Sequence, residues 1–242
     1  MNGCTADNWE NIKVASLFMP NTFVMSIFRE CGHWVFWKGI YSSGRVKKHS
    51  GIRNATLHNC KIGDNTLIEN VHNYISNYFI GDDCFIQNVN VMYVEGRSSF
   101  GNNVEVSVLN ETGGREVPIY NGLSASLAYL IALYRHRPAL ILRLQAMIAD
   151  FAERQTGNYG FIGNHVKIIN TGTVRNTVIA DYATVENCTR LDNGTVNSNV
   201  NAPVYIGDSV IAEDFIIFFG GCGCRCRQDY PLFYRAGVPC DA

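Results

Sequence analysis

A short motif that recurs along the chain constrains the fold more than any other feature of the sequence. Each copy has an apolar residue, then Gly or Ala, then Asp or Asn, and then a two-residue alternation that ends on an apolar or small residue. Six stretches share it: IGDNTLI from Ile62, IGDDCFI from Ile80, FGNNVEV from Phe100, IGNHVKI from Ile162, IADYATV from Ile179 and IGDSVIA from Ile206. Gly-Asp and Gly-Asn favour turns, and the alternation favours a short strand. The sequence therefore predicts a repetitive stack of short strands joined by turns.

The alternation also predicts which side chains enter the interior. On one side of each strand a smaller residue precedes a larger one, and a narrow interior suits this pattern. The predicted inward pairs are Thr66 with Ile68, Cys84 with Ile86, Val104 with Val106, Val166 with Ile168 and Ala183 with Val185. Leu67 is expected on the opposite side. We interpret Cys60, Cys84 and Cys188 as small buried hydrophobes.

The spacing of the motif and a set of asparagines describe the repeat unit. Ile62 and Ile80 are 18 residues apart, Ile162 and Ile179 are 17 apart, and partial matches recur about every six residues. This spacing predicts hexads, three to a coil. Asparagines recur just past the predicted strands at Asn59, Asn70, Asn88, Asn110, Asn170, Asn176 and Asn187. We interpret them as turn-forming residues or stacked amide corners, with a ligand role as the alternative.

The two-residue rhythm stops between Gly122 and Gly157, where apolar residues fall at helical spacing. Ser124 is the expected N-cap, and Pro138 is expected to kink the segment or to start a second helix. We therefore predict a helical hairpin or kinked helix over residues 122–157, inserted between coils over 46–121 and 158–217. Its apolar stripe is expected on the coils or on a neighbouring subunit. The cations of Arg135, His136 and Arg137 favour the helix C-terminus, with an anion site as the alternative.

Residues 1–45 and 218–242 do not fit the pattern. The run GCGCRC from Gly221 has thiols that could bind zinc, but no second Cys or His pair lies at a standard spacing. Permitted codons from Phe218 onward, read one base later, can spell a peptide that contains FIGQGC, another copy of the motif. The stretch from Phe28 to Arg45 gives FGNVGIG in the same way. We interpret both as out-of-frame translation, expect a truncated product, and predict no metal site.

The hexads resemble the hexapeptide-repeat superfamily. This resemblance implies a mainly β fold, a single-stranded left-handed parallel β-helix, that is interrupted here by the predicted helices. The stretches KKHSGIRNATLHNC, EVSVLNETGGREV, IALYRHRPALI and APVYIGDSVIAEDFII also look like an uncharacterised bacterial β-helix family described only as a domain of unknown function. Hexapeptide-repeat proteins are often trimeric acyl- or acetyltransferases in which a histidine acts as general base. A trimer with an acyl-CoA or nucleotide-sugar substrate is what the resemblance implies.

Two histidines and one loop are the candidate site residues. His165 occupies an outward turn position, and His72 falls on either face of its hexad, so each is a candidate general base or a surface histidine. The loop Asn110–Glu116 contributes Asn110, Glu111, Thr112, Arg115 and Glu116 as candidate ligand-binding residues. Its glycines permit close backbone approach, and Arg115 could hold a phosphate or carboxylate. The alternative is a Gly-rich turn that leads to the helices.

Composition limits the function classes. The chain has 242 residues, 47% of them hydrophobic, and a formal net charge of −1, which argues against nucleic acid or a membrane as the partner. The nine cysteines and the absence of a secretory pattern at the first residues predict a cytoplasmic protein with free thiols. No cofactor motif is evident. Three hypotheses follow: a transferase of acyl or sugar-nucleotide type, a non-enzymatic trimeric scaffold or binding solenoid, and an inactive fragment.

Overall fold

The computed structural model describes residues 47–107 and 114–218, together with the backbone of five short strands outside these ranges. The fold is mainly β, with mostly parallel strands in curled sheets and two helices. The chain runs in turn through three strand positions, which we call the first, second and third faces. We call one complete passage through the three faces a coil. Among the described residues, no helix is long and apolar enough to cross a bilayer.

The first face is a seven-stranded parallel sheet. Its strands are Gly51–Arg53, Leu67–Val71, Phe85–Val89, Lys167–Ile169, Thr184–Glu186, Tyr205–Ile206 and Cys222–Gly223. Consecutive coils pair in register, so that Ile86 lies between Ile68 and Ile168. Because adjacent parallel strands are about 4.8 Å apart, each coil adds that rise to the stack.

The second and third faces form one bent sheet of ten strands. The strands confined to the second face are Leu57–His58, Ile75–Ser76 and Val91–Tyr93. The strands confined to the third face are Lys61–Ile62, Tyr78–Ile80, Gly160–Ile162 and Phe233–Tyr234. Three longer strands run through the bend: Thr173–Ile179, Arg190–Val196 and Ile211–Ile217. Three further pairs lie outside both sheets, and one of them joins Val104–Ser107 to Glu116–Ile119. Thr5–Ala6 runs parallel to Ile27–Phe28, and Gly39–Tyr41 runs antiparallel to Lys47–His49.

The predicted inward residues fill the interior. Four of the predicted pairs are buried, each residue at 2% exposure or less: Thr66 with Ile68, Cys84 with Ile86, Val166 with Ile168, and Ala183 with Val185. Leu67 is buried as well, on the opposite side of its strand. The cysteine interpretation is confirmed, since Cys60, Cys84 and Cys188 are free and buried. Burial raises the pKa of Cys60 to about 11 and those of Cys84 and Cys188 to about 12, so these thiols stay protonated near neutral pH.

Asparagine side chains stack at the corner that follows the first face. Each amide nitrogen donates to the side-chain oxygen of the next coil at 2.7 to 3.2 Å, through Asn54, Asn70, Asn88, Asn170, Asn187 and finally Asp208. The five asparagines have φ between 48° and 54°. Asn tolerates this left-handed conformation better than other residues with a Cβ. The prediction of stacked amide corners is therefore confirmed here, while Asn110 lies outside the described residues.

The prediction that the third copy of the motif, FGNNVEV, forms part of the stack is wrong. Phe100 begins a turn, and Val104–Ser107 pairs antiparallel with Glu116–Ile119 instead of joining the stacked strands. Val104 and Val106 pack against the helices. The place beside Phe85–Val89 on the first face is taken by Lys167–Ile169, which follows the insertion. The segment after Phe100 therefore has no position in the stack and pairs with Glu116–Ile119 instead.

The inserted segment contains two helices, α1 (Ala125–Leu133) and α2 (Pro138–Gln155). Ser124 caps α1 by accepting a hydrogen bond from the Leu127 amide, and Pro138 starts α2, as predicted. Ile131 and Ile148 pack in one apolar cluster with Ile216 of the third face. The insertion is therefore anchored on the outer side of the sheets.

The two segments interpreted as out of frame lie largely outside the described residues. In the tail, the backbone of Cys222–Gly223 pairs in parallel with Tyr205–Ile206, and Phe233–Tyr234 pairs with Ile216–Ile217. The frameshift interpretation stays a prediction, which the coding DNA tests.

Candidate functional site

His72 lies at an exposed corner between the first and second faces. It follows the strand Leu67–Val71, and its backbone amide donates to the carbonyl of Val89 in the next coil. Within the described chain, its imidazole has no hydrogen-bond partner. A general base needs a group that orients it and a substrate within hydrogen-bond reach. The described surroundings supply no such orienting group for His72.

His165 lies at a different corner, where the chain enters the first face. Its φ of 57° is the left-handed turn conformation of this corner. The imidazole stacks on Tyr182, with ring centroids 4.7 Å apart, and its Nδ1 is 3.9 Å from the Oδ2 of Asp83. That separation is too long for a hydrogen bond and gives an ion pair only when the histidine is protonated. His165 is therefore part of a side-chain stack along the coils, and His72 belongs to another corner.

The candidate loop is described only in part. Asn110, Glu111 and Thr112 lie outside the described residues, and Arg115 is exposed. Glu116 begins the strand Glu116–Ile119 and accepts a 2.8 Å hydrogen bond from the Gly114 amide on Oε1. Its pKa is lowered by that amide, by its own amide and by the nearby Arg135 guanidinium. The Glu116 carboxylate thus closes a turn.

Arg135 has neither of the two roles considered from the sequence, which were to complement the helix C-terminus or to form an anion site. Its guanidinium donates to the backbone carbonyl of Glu116 and so joins the end of α1 to the hairpin strand. The Nε of Arg135 is buried without a partner among the described residues. The two described candidate residues of the loop, Arg115 and Glu116, lie at the start of the hairpin strand, whereas His72 and His165 lie at corners of the stacked sheets. Over the described ranges, no group of three or more His, Cys, Asp or Glu residues could hold a metal ion.

Sequence reasoning missed a charged network on the second face. Arg175 holds the Asp192 carboxylate with two hydrogen bonds of 2.8 and 2.6 Å, and Arg190 adds a third of 2.6 Å. Glu95 lies 3.5 Å from Arg175, and Glu213 lies 2.9 Å from Arg190. Burial raises the pKa of Asp192, but the two guanidinium groups outweigh it and hold this pKa below its usual value. The network contains two cationic and three anionic side chains, each of them in an ion pair, and it borders a cavity of about 360 Å³.

A groove on the third face was also missed. It has a volume of about 610 Å³, and it lies between an outward row of side chains and the corner that follows. The outward row is Lys61, Phe79 and Phe161, which pair in register in adjacent strands. The corner contributes Asp64, Asp82 and Asn164. The signal was the residue before each Ile-Gly pair, because Phe79 and Phe161 precede Ile80 and Ile162.

These features define the class of protein. It is a mainly β protein of stacked parallel strands with a helical insertion, and its described corner residues bond chiefly to the equivalent residues of neighbouring coils. The chain belongs to the family described as Domain of unknown function (DUF4954), whose model matches residues 1–227.

The chain is also similar to one distant relative. An uncharacterized protein of Treponema pallidum (strain Nichols) is 28% identical to this chain over 187 residues. The match covers 73% of this chain but 25% of the relative, so the chain spans about a quarter of the length of the protein it matches. No solved structure matches the chain.

Proposed function

We propose that the chain is a hexapeptide-repeat, left-handed parallel β-helix that serves as a non-enzymatic scaffold. The support for the architecture is the coil of 17 or 18 residues in most of the stack, with 16 and 21 in two coils, together with the inward apolar columns and the asparagine corners with positive φ. The hand of the coil is tested by a crystal structure. Left-handed connections between parallel strands support the proposal, and right-handed ones, which most proteins use, contradict it.

One observation carries the scaffold role. The polar side chains at the coil corners bond to the equivalent side chains of adjacent coils, and the two candidate histidines lie at separate corners. A transferase site requires a base, a positioned acceptor and groups that stabilise the developing charge in one place. The contacts of the described residues therefore fit a structural role in the stack better than they fit a transferase site.

Ligand-dependent stability tests this role against the transferase hypothesis. We expect no shift of the melting temperature when an acyl-CoA or a nucleotide sugar is added to the full chain. A ligand that binds only the folded state must raise the melting temperature in a saturable way. Saturable stabilisation by either compound, lost in His165→Ala or His72→Ala, would contradict the scaffold role and support the transferase.

We further propose that the scaffold assembles as a trimer through the helical insertion. α1 contains no charged residue, yet Tyr129 is 59% exposed, and Leu142 of α2 is 65% exposed. A helix that is apolar on all sides is normally covered. The apolar surface of the helices supports self-association, and the number of three comes from the resemblance to hexapeptide-repeat proteins.

Light scattering after size-exclusion chromatography tests the assembly. The expected mass is three times the 27.0 kDa of one chain. Leu142→Glu places a charge on the apolar surface and is expected to give monomers, whereas Arg143→Glu, at the exposed neighbouring position, is the control for added negative charge. A monomeric wild-type chain, or equal masses for wild type and Leu142→Glu, would contradict assembly through this surface.

A further inference from the structure

The turn that joins the two helices projects into solvent. Residues 133–140, which we call the hairpin tip, connect the last residue of α1 to the first turn of α2. Three large apolar side chains in the tip are 37 to 40% exposed: Leu133, Tyr134 and Leu140. Ile131 and Ile141 on either side are buried, and within the turn the Arg137 amide donates a 3.0 Å hydrogen bond to the Tyr134 carbonyl. The tip is therefore an apolar projection from helices that are anchored on the sheets.

Positive charge is concentrated around the tip. No aspartate or glutamate occurs between Glu116 and Asp150, whereas four basic residues do: Arg135, His136, Arg137 and Arg143. Within the described ranges, the side chains of Arg137 and Arg143 are exposed and form no ion pair with an acidic residue. The net charge of −1, which argued against a membrane partner, thus conceals a basic segment and a more acidic remainder.

One side of α2 continues the tip. Successive residues of an α-helix are rotated by about 100°, so residues three and seven positions apart lie on the same side. Leu140 therefore shares a side of α2 with Arg143 and Met147, and Met147 is 46% exposed. Leu142 lies about 200° from Leu140 around the helix axis. The surface that we assign to the trimer, which includes Leu142, therefore faces a different direction.

A lipid bilayer with anionic headgroups matches this combination of groups. Basic side chains are attracted to the headgroup phosphates, while leucine side chains reach the acyl chains beneath them. Tyrosine is enriched at the boundary between the two layers. Duplex DNA would pair with the arginines but would leave the leucines in water, because its binding is dominated by phosphate contacts. Positive charge and protruding apolar groups together therefore favour an anionic bilayer.

We propose that the hairpin tip docks the protein onto the surface of an anionic lipid bilayer. Leu133, Tyr134 and Leu140 enter the boundary between headgroups and acyl chains, and Arg137 and Arg143 contact the lipid phosphates. In an assembly with three-fold symmetry the three tips lie at the same height along the axis, so they can contact one bilayer together. The inference goes beyond the scaffold role and applies to a single chain as well.

Flotation of the full chain with lipid vesicles in a density gradient tests the proposal. The vesicles contain phosphatidylcholine mixed with the anionic lipid phosphatidylglycerol, or phosphatidylcholine alone. We expect saturable binding to the anionic vesicles and at least about tenfold weaker binding to the neutral ones, because each arginine near an anionic surface contributes about fivefold to binding. Equal binding to both kinds of vesicle, or no binding to the anionic kind, would overturn the proposal.

Three variants assign the binding to the tip. Arg137→Gln removes one positive charge and is expected to weaken binding to the anionic vesicles by about fivefold. Leu140→Gln removes an apolar side chain without a change of charge and is expected to weaken binding by at least about threefold. Arg97→Gln is the matched control for charge, because Arg97 is exposed and the adjacent Ser98 pairs with Gly157, beyond the opposite end of α2.

The variants also separate docking from assembly. Wild-type affinity in Arg137→Gln, or an equal loss in Arg97→Gln, would contradict docking through the tip. Wild-type affinity in Leu140→Gln would contradict the entry of apolar side chains into the bilayer. Both tip variants are expected to keep the wild-type mass in light scattering, so that a failure of the docking proposal is distinguished from a failure of the trimer.

Discussion

Tyr78 is the largest fully buried side chain among the described residues, and glycine makes room for it. It lies in register with Gly160 on the third face, and its hydroxyl is 3.1 Å from the hydroxyl of Thr177. Its burial is complete and raises its pKa to about 12. Gly194 makes room for Phe215 in the same column. In this column, an aromatic ring therefore fits the narrow interior because the paired residue of the adjacent coil is glycine.

This arrangement predicts the effect of a single methyl group. A Cβ at residue 160 would lie 2.2 Å from the Tyr78 ring, so Gly160→Ala is expected to destabilise the fold by about 1–3 kcal/mol in urea unfolding. Gly157→Ala is the matched control, since its Cβ would meet nothing closer than 3.8 Å. If the two variants unfold at the same urea concentration, the packing of Tyr78 against residue 160 is wrong.

At the scale of the element, the second face depends on its ion-pair network. Asp192 is 4% exposed and bonds to both Arg175 and Arg190 on adjacent positions of the sheet. Its pKa is lowered in the folded state, so the carboxylate contributes stability at a pH above its unfolded value of about 3.9. That contribution is lost as the pH falls through the folded-state pKa.

Asp192→Asn tests this contribution. The variant retains the size of the side chain but not its charge, and we expect it to lose about 1–3 kcal/mol of unfolding free energy at pH 7. The loss should shrink as the pH falls below about 4, because the carboxylate of the unfolded wild type then takes up a proton, while the folded one does so only at a lower pH. The measurement is urea unfolding of both proteins from pH 7 to pH 3. A difference that stays constant over this range would contradict the role of the charge.

The inward residues could be predicted from the sequence because the alternation that identifies them lies within a few consecutive residues. The alternation in IGDNTLI identifies Thr66 and Ile68 as inward residues without reference to the rest of the chain. The error at Phe100 has the opposite cause. Alternating Val104 and Val106 suit a coil and a hairpin equally, and the partner strand decides between them.

The groove could not be predicted for a similar reason. Phe79 and Phe161 are 82 positions apart in the sequence, and they become neighbours only because the insertion interrupts one coil. The candidate histidines failed to converge because the motif specifies a turn at each corner but not which corners lie together. Function in such a stack depends on the outward residues, and their pairing follows from the coil register.

At the scale of the whole molecule, the account rests on the stacking of coils. Arg53, Glu69, Gln87, Ile169 and Glu186 form one column on the first face. Arg53 and Glu186 are 133 positions apart in sequence but only four strands apart in the sheet. At about 4.8 Å per strand, their backbones are roughly 19 Å apart.

A distance between two spin labels tests this stacking most directly. The full chain carries Arg53→Cys and Glu186→Cys, with serine in place of the six cysteines other than the buried Cys60, Cys84 and Cys188. Pulsed electron paramagnetic resonance should give a single distribution of label-to-label distances centred near 20 Å, with a width set by the label side chains. A distribution centred beyond about 35 Å, far more than four strand spacings, would contradict the stack of coils.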